Sequence, residues 1–265
     1  MGRVICIGNH KGGVGKTTTA VNLSAAFAVA EKRTLLIDSD PQGHSTIGMG
    51  INNGRIAGNL FNALLGDASI DELIVKGDID CLKILPSGLE LIRAEAELIS
   101  MPGKETVLRD LIKTHKDRYD YILIDCPPSL NLLTVNAMAA SDSVLIPLQC
   151  EFFAGQGLIQ FLEIYKVLKR IFNPEMQVEG ILLTMVDKYD EVSEKIAGET
   201  RRRFNGMVFN ASIPRDRLLH HSASSGKPLL LQDIASAGAR AYLDLAKEIM
   251  SGDLTLKKDF SNLHA

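Results

Sequence analysis

Gly8-Asn9-His10-Lys11-Gly12-Gly13-Val14-Gly15-Lys16-Thr17-Thr18-Thr19 lies between the apolar run Val4-Ile5-Cys6-Ile7 and the helix-forming run Ala20-Val21-Asn22-Leu23-Ser24-Ala25-Ala26-Phe27-Ala28. A short buried strand, a glycine-rich loop and a helix, in that order, form the context that a phosphate-binding loop requires. Glycines at 12, 13 and 15 let the backbone around Val14 curl so that its N–H groups point inward, and the helix start adds the positive end of its dipole. Such a cup holds polyphosphate. The spacing then assigns Lys16 to the β- and γ-phosphates, the Thr17 hydroxyl to Mg²⁺ and Thr18 to the α-phosphate.

Two later runs support this reading. Thr34-Leu35-Leu36-Ile37-Asp38 is a buried strand closing on a carboxylate, followed by the loop Ser39-Asp40-Pro41-Gln42-Gly43. Tyr121-Ile122-Leu123-Ile124-Asp125 is the clearest strand in the chain and also closes on an aspartate. Carboxylates at strand ends beside a phosphate loop handle the metal and the attacking water in this class of fold. Asp40 is therefore expected to position or activate the water. Asp38 and Asp125 are expected to hold the Mg²⁺ shell through water.

The strict pattern G-x-x-x-x-G-K-[ST] is not met, because His10 stands five residues before Gly15. The chain has instead Lys11-Gly12-Gly13-x-x-Lys16-Thr17, the deviant form of the Walker A motif, and in this it resembles the ParA/MinD family of ATPases. The D-x-D-P-Q-G segment at 38–43 and the D-x-P-P run at 125–128 match the same family. The resemblance extends from about residue 3 to about residue 250, and it is strongest to the ParA/Soj partition ATPases. It implies that Lys11 reaches across a dimer interface to the nucleotide of the second subunit, that Asp40 is the hydrolytic aspartate, and that Pro214 and Arg215 lie near the adenine. The implied cofactors are ATP and Mg²⁺, and the implied assembly is a homodimer formed when ATP is bound.

Strands alternate with helical stretches along the whole chain. Strand-like runs recur at 82–85, 143–148, 180–186 and 212–216, and helical spacing at 60–65, 70–74, 89–99, 105–115 and 155–172. The expected fold is α/β, a single doubly wound and mainly parallel sheet with helices on both faces, occupying residues 1–250. Residues 251–265 read as a flexible tail. With 265 residues, 46% of them hydrophobic and 23% charged, the chain can bury one large core without a second domain.

Composition also limits the function classes. A net charge of −3 supplies no global basic field, so contact with nucleic acid needs a local patch. Cys6, Cys81, Cys126 and Cys150 contain no C-x-x-C pair; three of them sit in or beside apolar strand-like runs, as small buried hydrophobes do, and the pattern suits a reducing cytoplasm. Neither a signal peptide nor an apolar run near the ~20 residues of a membrane span is expected. No helix-turn-helix precedes the first strand, so reading of a specific operator by this chain is not expected.

The resemblance implies an ATP dimer that binds nonspecific DNA, with a ParB-like or other cargo-adaptor protein stimulating hydrolysis, in a cytoplasmic, nucleoid-associated setting. The candidate DNA contacts are Arg201, Arg202, Arg203 and Arg217, which would meet backbone phosphates without reading bases. One segment departs from the family. Partition ATPases read I-P-R-N-x-R-x-x-E-A-P-S, whereas Ile213 to Ser224 read I-P-R-D-R-L-L-H-H-S-A-S, with Leu218 in place of the second arginine. His220 and His221 are expected in an exposed loop. Two alternatives remain: a membrane-surface switch of the MinD type, and positioning of a protein assembly.

Overall fold

The computed structural model describes residues 2–52, 56–152 and 154–252. The expected tail from 251 onward therefore falls almost wholly outside the described residues. Eight strands form one sheet in the order β3-β4-β2-β5-β1-β6-β7-β8. At its centre lie β1 (Arg3–Ile7), β5 (Tyr121–Asp125), β2 (Thr34–Asp38) and β6 (Ser143–Gln149), with β4 (Leu82–Leu85), β7 (Gln177–Val186) and β8 (Val208–Pro214) outside them. All of these pair in parallel, and only the two-residue edge strand β3 (Val75–Lys76) runs antiparallel, to β4.

The strand sequences explain the layering. Side chains alternate across a strand, so Val4 and Cys6 enter one core while Ile5 and Ile7 enter the other. Leu35 and Ile37, and Ile122 and Ile124, join the first, whereas Leu36 and Leu123 join the second. Both faces are covered, and for that reason these strands are apolar throughout rather than alternating. On the second face, α1 (Lys16–Val29) is buried along most of its length between the sheet and α12 (Ala237–Ser251). Its small residues Ala20, Ala25 and Ala26 allow that close approach. Thr19 and Tyr242 share a buried hydroxyl contact of 3.2 Å, and Asn22 Oδ1 accepts from Leu229 N at 2.8 Å. The helix that starts at the glycine loop is thereby pinned from behind.

Register brings the chemistry to one edge. Ile7 lies opposite Asp125, and Asp38 lies opposite Asp125 on the other side, so the glycine loop and both carboxylates leave the sheet together at its carboxyl edge. This is where an open parallel sheet accepts ligands.

Several elements differ from the sequence expectation. Residues 44–48, where no element is expected, form the short helix α2 (His44–Gly48). Five residues are too few for apolar periodicity, and α2 owes its position to hydrogen bonds with distant aspartates. The helices α3 (Leu60–Leu65), α4 (Ile70–Leu73), α5 (Leu91–Leu98) and α6 (Val107–Lys113) fall where expected, with a single 3₁₀ turn at Lys116–Arg118 after the last. α7 (Leu132–Ala140) was not legible, because its residues are apolar on all sides and give no stripe. After α8 (Ala154–Phe172) and α9 (Glu191–Arg203), the two histidines stand on the helix α10 (Arg217–Ser224) and not in a loop. Asp216 caps that helix, accepting from Leu218 N at 2.9 Å, and also accepts from Gly238 N at 3.0 Å. α11 (Leu229–Gln232) completes the set.

Past the end of α2, Gly50 adopts φ +74°, and a Cβ there would stand 2.7 Å from the Gly226 carbonyl oxygen. Both the conformation and the backbone contact exclude a side chain. Gly50→Ala is expected to lower stability by about 2 kcal/mol, seen as a lower midpoint in urea; an unchanged midpoint would show that the approach of 50 to 226 is not kept in solution.

Candidate functional site

Gly13 and Gly15 adopt φ +76° and +91°, so the loop turns as only glycine readily allows before α1 begins. Thr184 fixes the loop from below, its hydroxyl donating to the Val14 carbonyl at 2.9 Å. Lys16 is almost fully buried, and its ammonium donates to the Lys11 carbonyl at 2.8 Å across the mouth of the loop. Burial pulls its pKa down, while Asp125 and Asp40 oppose that shift. The loop faces a cleft of about 350 Å³, bounded by Gly12, Gly13 and residues 15–18, by Asp40, Gln42 and His44, and by Pro128 and Met185.

The three aspartates meet this cleft in different ways. Asp38 and Asp125 are completely buried, whereas Asp40 is 7% exposed at the cleft wall. Asp38 Oδ2 accepts from both the amide and the hydroxyl of Thr46 at 2.7 Å, and Asp38 Oδ1 accepts from Asp40 N at 3.1 Å. Asp125 Oδ2 accepts from Ser45 Oγ at 2.6 Å, while its Oδ1 is buried without a hydrogen-bond partner. Burial raises the pKa of both carboxyls, and the neighbouring Asp38 charge adds to the rise at Asp125. Asp40 Oδ1 accepts from Gln42 N at 2.9 Å, and the Asp40 carbonyl accepts from Ser87 Oγ at 2.5 Å.

Asp38 has both oxygens bonded, whereas Asp125 is buried with one oxygen orphaned and is poorly satisfied by protein alone. A divalent cation carried in on a polyphosphate would satisfy it. Among the described residues there is no group of three or more His, Cys, Asp or Glu side chains that could hold a metal by themselves.

Lys11 sits at the rim, and its ammonium forms an ion pair with Glu151, just ahead of α8; the two side chains are 40% and 38% exposed. Pro214 lies in register with Val186, and Arg215 N donates to the Val186 carbonyl at 3.0 Å, so this pair stands beside the Met185 wall of the cleft without lining it. Met185 itself holds φ +53°, which is strained for a non-glycine residue.

The arginines separate. Arg202 and Arg203 are exposed at the end of α9, and Arg217 is exposed at the start of α10. Arg201 departs from the expected set: its guanidinium donates to the carbonyls of Phe209 at 2.6 Å and Asn210 at 3.3 Å, so it is occupied in tying α9 to β8. Sequence reading also missed Ser45, Thr46, Ser87, Met185 and Glu151. The adjacent hydroxyls Ser45 and Thr46, one residue beyond D-x-D-P-Q-G, were the one available signal; Met185 and Glu151 had none.

A central parallel sheet, a glycine loop entering a buried helix and acidic strand ends at a single edge define a P-loop nucleoside triphosphatase fold. Residues 2–178 match a family model described as an AAA domain. The chain is 47% identical over 253 residues to the chromosome partitioning protein ParA of Myxococcus xanthus, covering 96% of this chain and 89% of that one. It is 43% identical over 249 residues to the sporulation initiation inhibitor protein Soj of Bacillus subtilis, covering 94% and 98%. Among solved structures it resembles cobyrinic acid a,c-diamide synthase from Mycobacterium smegmatis with bound ATP analogue and magnesium, at TM-score 0.83 and 32% identity over 95% and 96% of the two chains. The chain belongs to the ParA/Soj family of partitioning ATPases. Among the described residues no helix is long and apolar enough to cross a membrane.

Proposed function

We propose that this chain is a Mg²⁺-dependent ATPase that pairs with a second copy when ATP is bound. In that state it holds duplex DNA without regard to sequence. DNA or another cargo is thereby segregated or positioned, until a ParB-like adaptor stimulates hydrolysis and releases the dimer. The observation that carries this reading is the meeting of Lys16 and Asp40 at one cleft, with the Lys11 carbonyl on the Lys16 ammonium, in a chain 47% identical to a ParA. The ATP analogue and magnesium bound by the related synthase support the choice of ligand.

The roles follow from position. Residues 12–15 present backbone N–H groups to the phosphates, Lys16 meets the β- and γ-phosphates, and Thr18 meets the α-phosphate. Thr17 supplies a hydroxyl to the metal, with Asp38 and Asp125 holding its water shell. Mg²⁺ held there would neutralise charge developing on the phosphates. Asp40, at the cleft wall, orients the attacking water. Pro214 and Arg215 flank the base.

Lys11 acts on the second copy's nucleotide. Its pairing with Glu151 is half-exposed and so worth at most about 1 kcal/mol, little enough to be exchanged for a triphosphate. Lys11→Ala should retain nucleotide binding in the monomer and lose the ATP dimer. An ATP dimer of wild-type strength in that variant would remove the trans role.

Arg202, Arg203 and Arg217 supply the DNA contacts. If each reaches one phosphate in both copies, affinity should fall roughly a thousandfold between about 50 and 200 mM salt. The test is fluorescence anisotropy with unrelated duplexes and a slowly hydrolysed ATP analogue, ADP or no nucleotide. Binding only with the analogue, with a steep salt slope, is expected. An ATP dimer that binds no DNA at low salt would contradict the reading and point to a protein or membrane target.

A further inference from the structure

The short helix α2 makes contacts that no role assigned above requires. Ser45 Oγ donates to Asp125 Oδ2 at 2.6 Å across eighty residues of sequence. Thr46 donates twice to Asp38 Oδ2, and its hydroxyl accepts from Ser87 N at 2.9 Å. Ser87 Oγ in turn donates to the Asp40 carbonyl at 2.5 Å. Ser45, Thr46 and Ser87 are each fully buried. Two side chains of α2 and one from the loop after β4 thus bond the carboxylates of Asp125 and Asp38 and the main chain of Asp40.

A carboxylate turns about its side-chain bonds unless one oxygen is held. Ser45 holds Asp125 Oδ2, and the buried oxygen left without a hydrogen-bond partner is Oδ1. Thr46 holds Asp38 by the same logic, through one oxygen, with the Asp40 amide on the other. Groups that orient a metal's ligands in this way change metal affinity strongly without touching the metal.

We infer that Ser45 is a positioning residue for the metal step: it fixes the Asp125 carboxylate so that Oδ1 faces the cation shell, with Thr46 and Ser87 fixing Asp38 and Asp40 in the same framework. This rests on the reading of the cleft as a Mg²⁺–nucleotide site. Ser45 does not line the cleft, and its effect passes through Asp125.

The test titrates Mn²⁺ into protein saturated with ADP and reads free metal by electron paramagnetic resonance. ADP affinity is measured separately in EDTA. Ser45→Ala should weaken Mn²⁺ binding about tenfold or more while ADP affinity in EDTA stays at the wild-type value, and Ser45→Thr should restore the metal affinity. Ser45→Cys keeps the volume with a far weaker donor and carries the same prediction if the alanine variant does not fold. ATPase activity lost in either variant should return at high Mg²⁺. Wild-type Mn²⁺ affinity in the folded Ala or Cys variant would overturn the inference. So would an equal loss of metal-free ADP affinity, which marks general disruption of the loop. If wild-type protein with ADP binds no Mn²⁺, the reading of the site fails first, and this inference with it.

Discussion

Lys16→Ala is expected to lose about a hundredfold in affinity for Mg·ATP, the equivalent of one charge-assisted contact to phosphate. The lysine is positioned before any ligand arrives: its ammonium bridges to the Lys11 carbonyl at 2.8 Å, at the point where the loop closes over the cleft. Burial costs a cation solvation, and phosphate oxygens would return more than the carbonyl does. The fold should survive, because Ala suits the first turn of α1 and the helix is held from behind by Thr19, Asn22 and Tyr242. Isothermal titration with ATP and Mg²⁺ checks the result, and wild-type affinity would mean that the phosphates sit elsewhere. Dimer formation and DNA binding should disappear with it.

Asp40→Ala should leave nucleotide affinity close to wild type and reduce turnover by about two to three orders of magnitude. This selectivity follows from the local hydrogen bonds. Ser87 holds the Asp40 carbonyl and Asp38 accepts from the Asp40 amide, so the main chain stays tied when the side chain is removed. Only Gln42 N loses its acceptor. A protein that binds ATP and cannot hydrolyse it should accumulate as a long-lived dimer. Single-turnover hydrolysis with labelled ATP is the direct measurement; a wild-type rate would transfer the water-orienting role to another group.

Much of this site was legible because its signals are local. A strand, the glycines at 12, 13 and 15 and two lysines within 4–19 identify the loop, and apolar runs closing on Asp38 and Asp125 identify the carboxylates. What stayed hidden depends on pairs far apart in the chain. Ser45 finds its role through Asp125, Ser87 through Asp40, and Arg201 through a strand that follows it. Triple arginine reads as a uniform basic patch, yet helical geometry turns Arg201 toward β8 and leaves Arg202 and Arg203 exposed. The exposed histidines were read as loop residues because Asp216, which caps α10, also resembles a turn residue. Met185 carries no mark in sequence, since its positive φ is imposed where β7 meets the cleft.

The central claim is that ATP, and not ADP, drives two copies together. Light scattering of purified Asp40→Ala protein with Mg²⁺ and ATP, ADP or no nucleotide tests it most directly. The account predicts twice the monomer mass with ATP and monomer mass in the other two conditions. Monomer mass throughout, with ATP shown to be bound, would contradict it, as would the same dimer in all three.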